Sequence, residues 1–141
     1  MGKGITLLKG DFFDISEEAT GGKFDAVWDR GSMVAIHPEL REEYVRIIGK
    51  LLKPGGTILL ATVDRRAGSE EGMAAGPPWS LNEADVRGLY ETADWVESVT
   101  VLEEYDDFLE EASKERWISK GLNSVFEMCF VIKAKLPKAV T

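Results

Sequence analysis

The sequence has 141 residues, 44% of them hydrophobic and 30% charged, with a formal net charge of −8. That is the length of one domain able to bury a core. The excess of acid excludes nucleic acid and an anionic membrane as main partners, since both demand a basic face.

A single cysteine, Cys129, rules out an intrachain disulfide and gives a metal cluster nothing to form around, which fits a reducing compartment. Cys129 lies in an apolar run and reads as a buried core thiol. With no signal-peptide pattern and no apolar run long enough to span a bilayer, the expected location is cytoplasmic. The acidic pairs Glu103-Glu104, Asp106-Asp107 and Glu110-Glu111 read as a solvated face.

In chain order, Ile5-Thr6-Leu7-Leu8 predicts a short strand, and Ser16 to Lys23 a polar connector. Phe24-Asp25-Ala26-Val27-Trp28 reads as a strand buried on both faces, ending in the charged corner Asp29-Arg30-Gly31. From Pro38 the period becomes helical: Leu40, Tyr44, Ile47, Ile48 and Leu51 share one side, and Pro38 suits a first turn. Lys53-Pro54-Gly55-Gly56 then turns the chain into Thr57–Val63, the strongest strand pattern present. Strand, helix and strand make a βαβ unit whose two strands should be parallel neighbours.

Asp64 to Trp79 reads as a long loop with Gly68, Gly72, Gly76, Pro77 and Pro78, a length that is usually functional or disordered. Ser80-Leu81-Asn82-Glu83 fits a capping box opening a helix that runs to about Thr92. Trp95–Tyr105 and Leu122–Lys135 are strand candidates, separated by a polar, part-helical stretch. Residues 1–136 are thus expected to be one unit and 137–141 a tail.

The expected fold is α/β, a Rossmann-like sheet with a terminal antiparallel hairpin. No glycine-rich nucleotide loop follows a strand; Gly2-Lys3-Gly4 precedes one. The sheet therefore reads as partial, short of about two strands and their helices.

Three motifs in order carry a resemblance: Lys23 through Pro38, Gly76-Pro77-Pro78-Trp79, and Glu115-Arg116-Trp117 followed by Gly121 and Phe126-Glu127. Together they resemble the thiopurine S-methyltransferase family, from about Ile5 to Lys135. The resemblance implies a class I S-adenosylmethionine-dependent methyltransferase, of which this chain corresponds to the later part. The first two strands and the glycine-rich loop of that domain have no counterpart here. The Ile5 strand would then lack a neighbour unless an N-terminal half or a second copy supplies one.

The resemblance also implies site residues. Asp11 and Phe12 fall where the family contacts the adenine of S-adenosyl-L-methionine; read alone, they are a turn residue and a core aromatic. Arg30 falls at the junction of cofactor and acceptor, where its fork of donors suits a carboxylate or polar heterocycle; the alternative is an ion pair with Asp29 or Asp25. Asp29 reads as an orienting or capping group, and Trp28 as core, or as an edge on the cofactor pocket. Pro77, Pro78 and Trp79 match the loop over the acceptor, or a plain helix entry. Arg116 matches an arginine near the acceptor, or a solvent-exposed one. His37 reads as a helix-end residue. No catalytic nucleophile or base and no metal site stands out.

The implied reaction is methyl transfer to a small-molecule thiol, with the protein aligning the reactants and excluding water. Two alternatives remain: methyl transfer to halide or another small anion, and a non-catalytic half-domain that associates through exposed strand edges. The chain alone is expected to hold the cofactor weakly.

Overall fold

The computed structural model describes residues 4–137. Four strands form one sheet: β1 (Phe24–Arg30), β2 (Leu52–Gly68), β3 (Val96–Asp106) and β4 (Leu122–Ala134), side by side in the order β1-β2-β4-β3. Strand β1 leads through helix α2 (Arg41–Leu51) to β2, and the two strands pair in parallel from Ala26↔Thr57 to Arg30↔Ala61. The predicted βαβ unit is present. Its Pro-Gly-Gly corner is an irregularity at the start of β2 rather than a separate turn: Gly55 takes φ +76° and donates its N–H to Lys135 O at 2.9 Å. Strands β3 and β4 are antiparallel, and β4 inserts between β2 and β3.

Alternation along β2 divides the core. Ile58 and Leu60 face one side, together with Met128, Phe130 and Ile132 of β4. Tyr44, Val45 and Ile48 of α2 cover that side, as do Val86 and Tyr90 of α4 (Glu83–Tyr90). The other side carries Leu59, Ala61 and Val63. It is covered at one end by a smaller cluster of Trp117, Leu122 and Val125, with Trp117 supplied by α5 (Glu111–Ile118). Residues along the rest of that face, Trp28 among them, reach solvent.

Several expectations are corrected. Residues 5–8 form no strand and are exposed, Leu7 at 86%, because no neighbouring strand takes up their backbone groups. The predicted connector holds a short helix, α1 (Glu17–Thr20), capped by Ser16. Strand β1 is an edge, not a strand buried on both faces; it pairs with β2 alone, and Trp28 is 65% exposed.

The predicted long loop shrinks. β2 runs on to Gly68, and α3 (Glu70–Ala74) follows, N-capped by Ser69. The capping box is built two residues later than expected, by Asn82 and Asp85, since Ser80 Oγ instead accepts from Arg65 N–H at 2.9 Å. The acidic run is not wholly solvated: Asp107 is 1% exposed. Cys129 is half-buried on the partly open face, where burial and the Glu103 carboxylate push its thiol up from the ordinary value. Gly2, Lys3 and tail residues 138–141 lie outside the described residues. No helix among those described is long and apolar enough to cross a membrane.

Candidate active site

The charged corner sits at the C-terminal end of β1, where open α/β sheets bind ligands. Alternation sends Asp29 and Arg30 to opposite faces. Asp29 turns into the main core, where its Oδ2 accepts from Tyr44 Oη at 2.6 Å and its Oδ1 from Met33 N–H at 3.2 Å. Burial pushes its carboxyl up from the ordinary value, while the bonds from Tyr44, Met33 and Ser32 pull it back in part. Burial and the Asp29 charge in turn push the Tyr44 hydroxyl well up. Asp29 is thus an orienting group that fixes the turn after β1. Gly31 makes that turn with φ +86°, a conformation L side chains rarely adopt.

Arg30 points to the partly open face and is exposed. The ion-pair alternative is not realised: Asp29 is committed to Tyr44, and Asp25 pairs with Lys53 at 3.2 Å. The Arg30 side chain instead lines a cavity of about 350 Å³ with Pro78, Arg116, Trp117, Lys120 and Glu127. The structure therefore brings three residues singled out in the sequence, Arg30, Pro78 and Arg116, to one cavity. Among the described residues neither Arg30 nor Arg116 has a hydrogen-bonded side-chain partner. The Arg116 guanidinium lies 4.4 Å from the Trp117 ring centroid, a cation–π contact that leaves its N–H groups available.

The other candidates fall nearby. Pro77 lines a neighbouring depression of about 490 Å³ with Arg65, Ser69 and Lys120. The Trp79 ring packs edge-on against His37, at 5.1 Å between centroids, and its backbone N–H donates to Val34 O at 2.7 Å. His37 Nδ1 accepts from Glu39 N–H at 3.2 Å, the helix-end role expected of it. Asp11 caps the turn at Phe12–Asp14, its carboxylate accepting from Phe13 N–H at 2.9 Å. Phe12 packs against Tyr44 at 4.9 Å between centroids. Asp11 and Phe12 do not line the Arg30 cavity; they are tied to it through Tyr44 and Asp29.

Sequence reasoning did not assign two cavity residues to the site. Arg65 is 3% exposed; it donates to Gly72 O at 2.6 Å and to Pro78 O at 2.9 Å, fixing the proline loop over the cavity. Burial lowers its guanidinium from the ordinary value. Its signal was present: Val63-Asp64-Arg65-Arg66 is an apolar strand ending in charge, the same pattern that drew attention to Arg30. Glu127 lines the cavity from β4, and its signal was a lone carboxylate in the apolar alternation of Val125, Cys129 and Val131.

The sheet order and the ligand edge define a Rossmann-like fold of the class I methyltransferase kind. An arsenic(III) S-adenosylmethionine methyltransferase from Chlamydomonas reinhardtii superposes with a TM-score of 0.60 at 15% identity, over 93% of this chain and 44% of that one. Residues 1–135 match the family described as thiopurine S-methyltransferase, and the chain belongs to that family. A thiopurine S-methyltransferase of Aliivibrio salmonicida is 36% identical over 92% of this chain and 54% of that protein. One from Oryctolagus cuniculus is 32% identical over 93% of this chain and 48% of that protein. The chain spans about half the length of these curated relatives.

Proposed function

We propose that this chain carries the acceptor side of an S-adenosylmethionine-dependent S-methyltransferase acting on a small-molecule thiol. The observation that carries the reading is the joint placement of Arg30, Arg116 and Pro78 around one cavity, with neither guanidinium hydrogen-bonded to a side chain among the described residues. A small aromatic thiol suits a site walled by Trp117 and Pro78, and a developing thiolate is stabilised between two permanent cations.

The donor set fits the cofactor in part. Arg30 offers a free fork for the methionine carboxylate, and Phe12 an aromatic edge for the adenine; the Asp11 carboxylate is already used as a cap. When bound, S-adenosyl-L-methionine supplies an electrophilic methyl group. The residues of this chain orient the acceptor, hold its charge and, through the loop pinned by Arg65, limit the entry of water.

Transfer of a labelled methyl group to thiophenol, set against iodide, by a full-length form that includes the N-terminal half tests the proposal. The thiol is expected to be methylated, with kcat/KM falling roughly 10- to 100-fold in Arg30→Ala, the worth of a hydrogen bond to a charged group. An unchanged kcat/KM sinks the assignment of Arg30, and preferential methylation of iodide transfers the reading to small anions.

A second reading is favoured by the free edge of β1 and the exposed Trp28 beside it: the sheet completes itself against another polypeptide, an N-terminal half or a second copy. A monomer by light scattering, with thiol methylation intact, counts against it.

A further inference from the structure

Glu127 is the one carboxylate lining the Arg30 cavity among the described residues. It projects from β4 on the face shared by Val63, its register partner on β2, and Tyr105, its register partner on β3. Asp107, in the turn after β3, is 1% exposed and accepts from Trp117 Nε1 at 2.8 Å. The indole that walls the cavity thereby locks the Asp107 carboxyl in place, in a turn that packs against β4.

The hydrogen bond with Asp107 is the main cause pushing Glu127 up from its ordinary value, and burial adds to it; Arg30 and Arg116 pull the other way. The charged and titratable groups around Glu127 are therefore Arg30 from β1, Arg116 and Lys120 from α5 and the turn after it, Asp107, and Tyr105 from β3. This arrangement puts a proton acceptor and two cations at the walls of one cavity. Moving a proton from a neutral acceptor to Glu127 leaves the acceptor's new negative charge facing the guanidiniums.

We propose that Glu127, backed by Asp107, takes the proton of a thiol bound between Arg30 and Arg116. The S–H bond breaks, the proton passes to a Glu127 carboxylate oxygen, and the electron pair stays on sulfur as a thiolate. Glu127 is itself exposed at the cavity mouth, so the proton leaves to water once the methylated product has gone. The inference rests on the acceptor-side reading above and names the group that activates the acceptor.

The test counts protons on binding. Benzyl mercaptan, a thiol that is protonated in neutral water, is titrated into the full chain by calorimetry at neutral pH in buffers of different ionisation heat, and thiolate absorbance reports its ionisation. The wild-type protein is expected to bind the thiolate with close to zero protons released, because Glu127 keeps the proton. Its carboxyl carbon should move to the protonated position by NMR. Glu127→Gln preserves shape at an exposed strand site and should release about one proton per thiolate bound, since the cations remain but the acceptor is gone. Asp107→Asn keeps an oxygen for the Trp117 indole while weakening the pair, and should give an intermediate count. Equal release from wild type and Glu127→Gln overturns the proposal, and so does the absence of benzyl mercaptan binding to wild type. Proton retention with no methyl transfer by a full-length form that includes the N-terminal half instead overturns the methyltransferase reading and leaves Glu127 as the proton acceptor.

Discussion

Tyr44 Oη donates to Asp29 Oδ2 at 2.6 Å, joining α2 to the C-terminal end of β1 inside the core. The same hydroxyl lies 3.1 Å from Ser32 Oγ, and Phe12 packs on the ring. One side chain thus ties the segment before β1, the strand end and the crossover helix to the backbone that presents Arg30. Tyr44→Phe keeps the ring packing and removes the donor from a buried carboxylate. The expected loss is about 1–3 kcal/mol, read from urea unfolding midpoints; an unchanged midpoint contradicts this account.

Asp29 also gives the stability a defined pH dependence. Burial raises its carboxyl in the folded state above the unfolded value of about 3.9. For a group shifted in that direction, the stabilising contribution is complete below the unfolded value and is lost as pH rises through the folded one. The difference in unfolding free energy between wild type and Asp29→Asn should therefore move in favour of wild type as pH falls through that window, with the other carboxylates cancelling. A difference that is flat with pH rules out a raised Asp29.

Arg65 spends its buried guanidinium on two carbonyls, Gly72 O and Pro78 O, and so sets where the proline loop stands over the cavity. Arg65→Met removes both bonds and should cost about 2–3 kcal/mol. It should also speed amide exchange at Trp79 and Leu81, whose N–H groups donate to Val34 O at 2.7 Å and Val63 O at 2.8 Å. Arg65→Lys, a point charge without the fork, should recover only part of the loss. Exchange at Trp79 and Leu81 that is unaltered in Arg65→Met would show that the loop stands without the arginine.

What the sequence made legible follows from what is local. The α2 period, the Pro-Gly-Gly corner and the apolar runs of β2 and β4 are short-range patterns, and they specify the βαβ unit and the antiparallel pair. Trp28 and Leu7 mislead because their apolar character says that they are to be covered and not what covers them; in this chain both reach solvent. At the site, Arg30 and Arg116 were readable through motifs, but their meeting depends on β4 entering between β2 and β3, a long-range pairing that no window of sequence contains. Asp107 and Glu127 were named in the sequence but not read as site residues, for the same reason. Each is an ordinary acidic residue until the turn after β3 packs against β4.

Two helical glycines separate packing from propensity. In an exposed helix, Gly→Ala stabilises by about 0.5–1 kcal/mol. Gly88 on α4 has open space where an added methyl group would stand, and Gly88→Ala should show that gain. On α2, a Cβ at Gly49 would collide with the Trp95 indole, whose ring already packs edge-on against Tyr90 at 6.0 Å. Overpacking of this kind costs about 1–3 kcal/mol, more than the propensity gain, so Gly49→Ala should lower the unfolding midpoint. Trp95→Phe trims the colliding ring edge, and in a double-mutant cycle it should restore much of the loss at position 49. Additive effects at the two positions would mean that the indole moves aside freely and that Gly49 is not needed for the close approach of α2 to Trp95.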